Sequence, residues 1–451
     1  MIDLVREREM LAGLLAQEGR ALAISLPDEA VAAAREFQAA MADIGLDGQV
    51  FVAHKATDRT SLVRQLVSEA GVGVDVASLG ELEACLGRGI APEAIIVTGP
   101  KSSALLTRAV QCGVKAIVID SLGELERLIA LKADAYPDVL LRLTRSVVNR
   151  PGITRTSRFG LDRTAYEAAL DLLVDVPGIR LRGLAFHIDT KSIDEKVHAT
   201  GRALDLLEEL SERGFDDATV LDIGGGFGHS YGLTPEQLSA FDTEFKAKLQ
   251  RGTLDTYQSM TYGLKKLPDG QIIGDYATID TPAFPVGAER LRMMFAATYD
   301  GIPLAKRVQE LLVEVWCEPG SALFSSAGMV VSEIIDVSER DGQMAVVVNI
   351  QNGQVLFDRN EVLVDPIHLP ATKQPGASGC HGYLFGQLCM ESDVLSYRPV
   401  AFEQPPQAGD ALVWPHTGAY RMHMSQTSAI MHPTLARYRY EHKQYIQDEQ
   451  S

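Results

Sequence analysis

Six kinds of group that could do chemistry recur at one kind of place, the end of a short apolar run. Lys55 closes QVFVAHK, Asp75 lies in VGVDVAS, Arg142 in VLLRLT, His187 in LRGLAFHI and Glu318 in LLVEVWCEPG. Gly224, Gly225 and Gly226 follow TVLDI. A lysine amine at a strand end can attack a carbonyl carbon. A glycine loop opening a helix offers N–H groups to an anion. A buried carboxylate can hold a proton on a neighbouring base. Taken singly, each has an ordinary reading: a solvated cation, a packed histidine, a tight turn. Asp222, just before the glycines, reads equally well as a helix cap or a turn-former.

The runs that carry these groups span 49–55, 72–78, 94–99, 116–121, 139–144, 181–188, 219–225 and 311–320. Helical stretches such as TSLVRQLVSEAG, SLGELEACLGRG and SLGELERLIALKA lie between them. Near-continuous apolar strands alternating with helices imply a parallel sheet, and eight of them imply closure into a (β/α)₈ barrel. Barrel enzymes work at the C-terminal ends of their strands, where these groups fall. About 90 residues separate the seventh run from the eighth, far more than an ordinary βα connection. The Tyr-, Gly- and Pro-rich part of that stretch, 252–295, is expected to be an excursion near the barrel mouth, either a substrate-shaping element or a surface embellishment. After residue 320, MVVSEIIDV, QMAVVVNI, GDALVW and RYRYEHKQY read as strands of a mostly antiparallel β domain. ALAISL at 21–26 could supply a further strand. The expected division is thus α/β: a barrel over 28–320 with its insert, and a β domain from 1–27 and 321–451.

A formal net charge of −18 argues against nucleic-acid or anionic-membrane partners. Five scattered cysteines without a C-x-x-C pair fit a reducing compartment. With neither a signal-like N-terminus nor a membrane-length apolar run, a cytoplasmic location is expected. The ten histidines show no H-x-H or H-E-x-x-H spacing, so no metal site is expected.

Together the strand-end groups meet the requirements of a pyridoxal 5'-phosphate site. Lys55 would form the Schiff base with the cofactor aldehyde, and the glycines would receive its phosphate. Glu318 would keep the pyridine nitrogen protonated, and His187 would lie against the ring. The segments then resemble, in order, those of the diaminopimelate and ornithine decarboxylase family, whose fold type III architecture is shared with alanine racemases. VFVAHKATD is similar to its Y-A-V-K-A-N segment, SRFGLD to S-K-F-G, and LDIGGGFG matches its glycine loop almost letter for letter. CEPGSALFSSAG resembles E-P-G-R, GQLCMESDVL resembles G-P-L-C-E-S-G-D-V-L, and HTGAY resembles D-A-G-A-Y.

The resemblance covers residues from about 20 to about 440 and implies several roles. Asp75 and Arg142 would join the cofactor-binding set, with Tyr420 on the phosphate. Cys389 would reprotonate the quinonoid carbon after CO₂ leaves, and Glu391 and Asp393 would meet substrate. The active site would form between the subunits of a homodimer, with Cys389 and Asp393 reaching the partner's Lys55 site.

Departures from the pattern bear on the substrate. Ser321 stands where E-P-G-R has arginine, Met390 where diaminopimelate-type enzymes have glutamate, and HIDTK replaces H-I-G-S-Q. RMHMSQT after Tyr420 lacks the usual run ending in Tyr-Asn. These losses point to decarboxylation of an unusual amino acid or an amino-acid-derived, carrier-bound substrate. The alternatives are a racemase or epimerase on the same fold, against which Glu318 speaks, and a non-catalytic cofactor-binding or regulatory homologue.

Overall fold

The computed structural model describes residues 4–149, 157–176, 178–188, 190–356, 360–423 and 431–448. Asp189 of HIDTK and residues 424–427 of RMHMSQT lie outside them. The chain divides into two compact units. One comprises Glu29–His229 with Pro285–Leu323, the other Met1–Asp28, Ser230–Phe284 and Phe324–Gln450.

The first unit is a closed barrel of eight parallel strands. In order these are Gly48–Ala53, Gly73–Val76, Ile95–Val97, Ala116–Ile119, Asp138–Arg142, Leu181–Ala185, Val220–Asp222 and Glu314–Cys317. The last closes the ring, pairing Trp316 with Gln49 on one side and with Asp222 on the other. Each strand coincides with one of the eight apolar runs. Phe51, Ile96, Val118, Leu140, Ala185, Val220 and Trp316 form a buried cluster drawn from seven of the strands. The strand Gly73–Val76 contributes a gap instead. A Cβ on Gly73 would stand 2.4 Å from the Phe51 ring, so the glycine makes room for the ring that packs against Trp316.

Helix starts explain why the βα loops hold their shape. Ser78 and Ser121 accept from the N–H groups of Glu81 and Glu124, three residues on. Glu81 and Glu124 in turn accept from the N–H groups of Ala77 and Asp120 at the ends of their strands. The two SLGELE segments are therefore reciprocal caps that fix the turn from strand into helix.

The second unit contains a nine-stranded, mostly antiparallel sheet. Leu22–Ser25 lies inside it, antiparallel to Gly328–Arg340 and parallel to Ala436–Glu441. The helix Leu4–Glu18 buries Leu11 and Leu15 in a cluster with Leu22, Ile24 and Val331. Residues 230–284, expected to belong with the barrel, fold as part of this unit. Ile279–Asp280 pairs in parallel with Glu361–Val362. The Tyr262 hydroxyl donates to Glu361 (2.5 Å), and the Tyr383 hydroxyl to Asp255 (2.6 Å). The remainder of the expected insert, including the helix Gly287–Ala296, stays with the barrel unit. No helix among the described residues is long and apolar enough to cross a membrane.

Candidate active site

Lys55 sits in a single 3₁₀ turn, His54–Ala56, immediately beyond the first strand. Its Nζ lies 3.7 Å from Oδ2 of Asp75, and the lysine side chain is 41% exposed against 1% for the aspartate. The amine thus faces an opening and the carboxylate faces the interior. Asp75 Oδ1 accepts from the Thr98 hydroxyl (2.5 Å), whereas Oδ2 has no hydrogen-bond partner among the described residues. Burial, followed by the charge of Glu318, raises the Asp75 carboxyl to about 7, and Lys55 opposes that rise.

Glu318 follows the closing strand, the direct neighbour of the strand before Lys55, and its Oε2 lies 3.7 Å from His187 Nδ1, which accepts from the Gly225 N–H (3.3 Å). Burial lowers the His187 pKa, and the Glu318 carboxylate beside it opposes that shift. Burial pushes the Glu318 carboxyl up, but what it receives from His187, Lys55 and Asp222 outweighs this and holds it at about 2. Asp222 behaves in the contrary way: burial, then the Glu318 charge, raises it well above the carboxylate range. One of the two carboxyls keeps a proton so that the other can stay ionised. Asp222 also shows the turn-forming role, because its Oδ1 accepts from the Gly224 N–H (2.8 Å).

The glycine loop is a tight fit. Gly224 has φ +63°, and a Cβ there would lie 2.7 Å from both His187 Nδ1 and the Phe186 carbonyl oxygen. A Cβ on Gly225 would lie 2.8 Å from the Glu318 carbonyl oxygen. Only glycines let the loop rest directly on the histidine and glutamate segments. The N–H groups of Gly226 and Phe227 have no partner among the described residues. Two unengaged amides at a glycine loop, beside a strand-end lysine, are what a phosphorylated aldehyde would need, so the residues present fit the cofactor.

Arg142 is fixed differently from a free anion-binding group. Its guanidinium lies 3.3 Å from Asp120 and 4.8 Å above the Phe159 ring of the SRFG segment. In the second unit, Tyr420 adopts a left-handed φ of +62°. Cys389 and Glu391 are exposed, and Met390 is 54% exposed. Asp393, expected to meet substrate, is buried at 3% exposure. Its two oxygens accept from the N–H groups of Asn352 (2.7 Å) and Leu388 (2.8 Å). The structure therefore corrects that expectation: the carboxylate braces the loop carrying Cys389 and Glu391.

Several supporting residues had not been singled out from the sequence. Thr98 orients Asp75, and Asp120 orients Arg142. Glu195 gathers Arg145 and Asn149, and the Thr190 hydroxyl (2.5 Å), beneath the HIDTK loop. Lys196 is buried, and its ammonium donates to the carbonyls of Ile223 and Gly225. It lies on the core-facing stripe of the helix Ile193–Glu212 with Thr200, Ala203 and Leu207, and that placement was the available signal.

A lysine, a buried acid cluster and a glycine loop at the strand ends of a closed barrel define the cofactor-binding half of a pyridoxal enzyme. Residues 28–259 match the family model of the pyridoxal-dependent decarboxylases, pyridoxal binding domain. The chain belongs to that family. It is 30% identical over 441 residues to an uncharacterized protein of Sinorhizobium fredii, covering 94% of this chain and 88% of that one. It is 35% identical over 268 residues to the diaminopimelate decarboxylase of Mycobacterium tuberculosis, and this match spans 55% of the chain and 58% of the enzyme. The fold is similar to that of the diaminopimelate decarboxylase from M. jannaschii (TM-score 0.71, 17% identity, 98% and 92% of the two chains). It is also similar to that of the lysine/ornithine decarboxylase from Vibrio vulnificus complexed with putrescine (TM-score 0.67, 20% identity, 96% and 98%).

Proposed function

We propose that this protein decarboxylates an amino acid, or an amino-acid-derived substrate held on a carrier, with Lys55 as the lysine that holds pyridoxal phosphate. The observation that carries this reading is the paired arrangement at the strand ends. Lys55 faces Asp75 across 3.7 Å, and His187 lies 3.7 Å from an ionised Glu318 beside the glycine loop. Bound there, the cofactor supplies an electron-accepting ring for the electron pair left when CO₂ departs.

The chain's own residues do the rest. Lys55 offers the nucleophilic amine. Glu318, held at about 2, stays ionised at neutral pH and can keep a proton on an adjacent ring nitrogen. The His187 imidazole presents a flat face, and the amides of Gly226 and Phe227 receive a phosphate. An ionised acid at the ring nitrogen favours full charge withdrawal, and hence decarboxylation over racemisation.

The Cys389 thiol is the proposed donor of a proton to the substrate carbon, reaching the Lys55 site of a second copy in a homodimer. Glu391, exposed one residue beyond the position that Met390 occupies, is the candidate for the substrate's distal group. The replaced positions Ser321 and Met390 support a substrate other than diaminopimelate.

CO₂ release is measured from a panel of free L- and D-amino acids, diaminopimelate included, and from carrier-linked aminoacyl thioesters, with cofactor supplied. Release from one of them, with diaminopimelate a poor substrate, is expected. Diaminopimelate as the best substrate would contradict the substrate reading. Inversion at the α-carbon without CO₂ would contradict the reaction.

A further inference from the structure

We propose that Lys196 is the positioning residue of the phosphate loop: its buried ammonium fixes the carbonyls of Ile223 and Gly225, so that the Gly226 N–H, on the other side of the Gly225 peptide, meets the cofactor phosphate, and it brings a positive charge to that loop. The inference rests on the reading above, that pyridoxal phosphate binds at the glycine loop.

Three observations carry it. First, Nζ donates to the carbonyls of Ile223 (3.0 Å) and Gly225, the residues that flank Gly224 in the loop. The Gly225 carbonyl shares its peptide unit with the Gly226 N–H, so holding the one turns the other to the opposite side, while the N–H of the Ile223 unit, Gly224's, is taken by Asp222. The next amides along, at Gly226 and Phe227, have no partner among the described residues. Second, the lysine lies directly behind the loop. A Cβ on Gly226 would meet Lys196 Cε at 3.5 Å and Nζ at 3.7 Å, and the ammonium also sits 5.0 Å over the Phe227 ring.

Third, the ammonium is buried without a carboxylate in direct contact among the described residues. Lys196 is 2% exposed, and its ammonium donates to the Ile223 and Gly225 carbonyls rather than to a carboxylate among the described residues. Burial, then the Arg290 charge, lowers its pKa to about 8. Burial outweighs the nearby charges of Asp222 and Glu318, so the buried cation is costly, and an arriving dianion relieves that cost. Where the related E-P-G-R segment carries an arginine, this chain has Ser321, and Lys196 is a cation that the described residues place at the glycine loop.

The test compares apo-protein affinity for pyridoxal phosphate and for pyridoxal, which lacks the phosphate, in wild type and Lys196→Met. Cofactor absorbance follows binding, and circular dichroism reports folding. The expected result is a loss of roughly 10- to 100-fold for pyridoxal phosphate, with pyridoxal changed by no more than about 2-fold. Equal losses for both ligands, or no loss, would overturn the inference while leaving the cofactor reading intact. A wild type that binds neither ligand would overturn both.

If Lys196→Met does not fold, a pH series decides. Between about pH 7 and pH 9.5 the wild-type ratio of the two affinities should fall as Lys196 loses its proton. Lys55 cancels from the ratio because both ligands use it. The charged groups facing Lys196 are Arg290, Cys317, Asp222 and Glu318. Arg290 stays charged, burial keeps Cys317 a thiol, and Glu318 stays ionised. Asp222 is removed from the titration by repeating the series on Asp222→Asn. A ratio flat with pH in either protein would overturn the inference.

Discussion

Replacing Gly224 by alanine probes the contact on which the site is assembled, and its cost can be worked out in two parts. The residue has φ +63°, where an L side chain loses about 1 kcal/mol relative to glycine. Its Cβ would then lie 2.7 Å from His187 Nδ1 and from the Phe186 carbonyl oxygen. The second of these is backbone next to a barrel strand and cannot swing aside, so overpacking of about 1–3 kcal/mol is added. The total is about 2–4 kcal/mol, a large fraction of the stability of an ordinary domain.

Gly113→Ala isolates the first part. That glycine caps the helix Ser103–Cys112 at φ +71°, with nothing within 4 Å of its Cβ position, and should cost only about 1 kcal/mol. The assay is denaturant unfolding followed by the fluorescence of Trp316 in the barrel. The other tryptophan, Trp414, is changed to phenylalanine so that the barrel unit reports alone. Equal costs for the two alanines would refute the argument that the glycine loop rests on His187.

Further outcomes follow from individual groups. Asp75, raised to about 7, holds its proton in the folded state through a window in which the unfolded chain has lost it. Its contribution to stability is therefore full below about pH 4 and is lost as pH rises to about 7, and unfolding of apo Asp75→Asn measured across that range should show a shallower decline. Phe51→Ala removes a fully buried ring that touches Trp316 and covers Gly73, and should lower barrel stability by about 3–5 kcal/mol in the same fluorescence assay. Cys389→Ala should leave pyridoxal phosphate affinity unchanged and reduce substrate turnover by roughly 100-fold or more, the scale of a lost general acid. Unchanged turnover would remove Cys389 from the mechanism.

The barrel was legible because each strand announces itself twice, by a buried β-branched run and by the polar or small residue that ends it. Lys55, His187, Gly224 and Glu318 mark strand ends for that reason, and no distant contact is needed to see them. Residues 230–284 were less legible. Their strands are two residues long, and Tyr262 and Asp255 find their partners, Glu361 and Tyr383, about 100 residues or more further along. Asp393 shows another limit. A motif places the residue, but whether its carboxylate faces substrate or braces its own loop depends on where the N–H groups of Asn352 and Leu388 come to lie. Lys196 was overlooked because a lysine on a helix reads as solvated, although its stripe of apolar neighbours says otherwise.

The central claim is that Lys55 holds the cofactor, and reductive trapping tests it most directly. Purified protein is incubated with pyridoxal phosphate, reduced with borohydride and digested, and the modified lysine is located by peptide mass spectrometry. The account predicts one phosphopyridoxyl group per chain, on Lys55, and none on Lys55→Ala. Modification of Lys101, Lys196 or scattered surface lysines with Lys55 left free would contradict it.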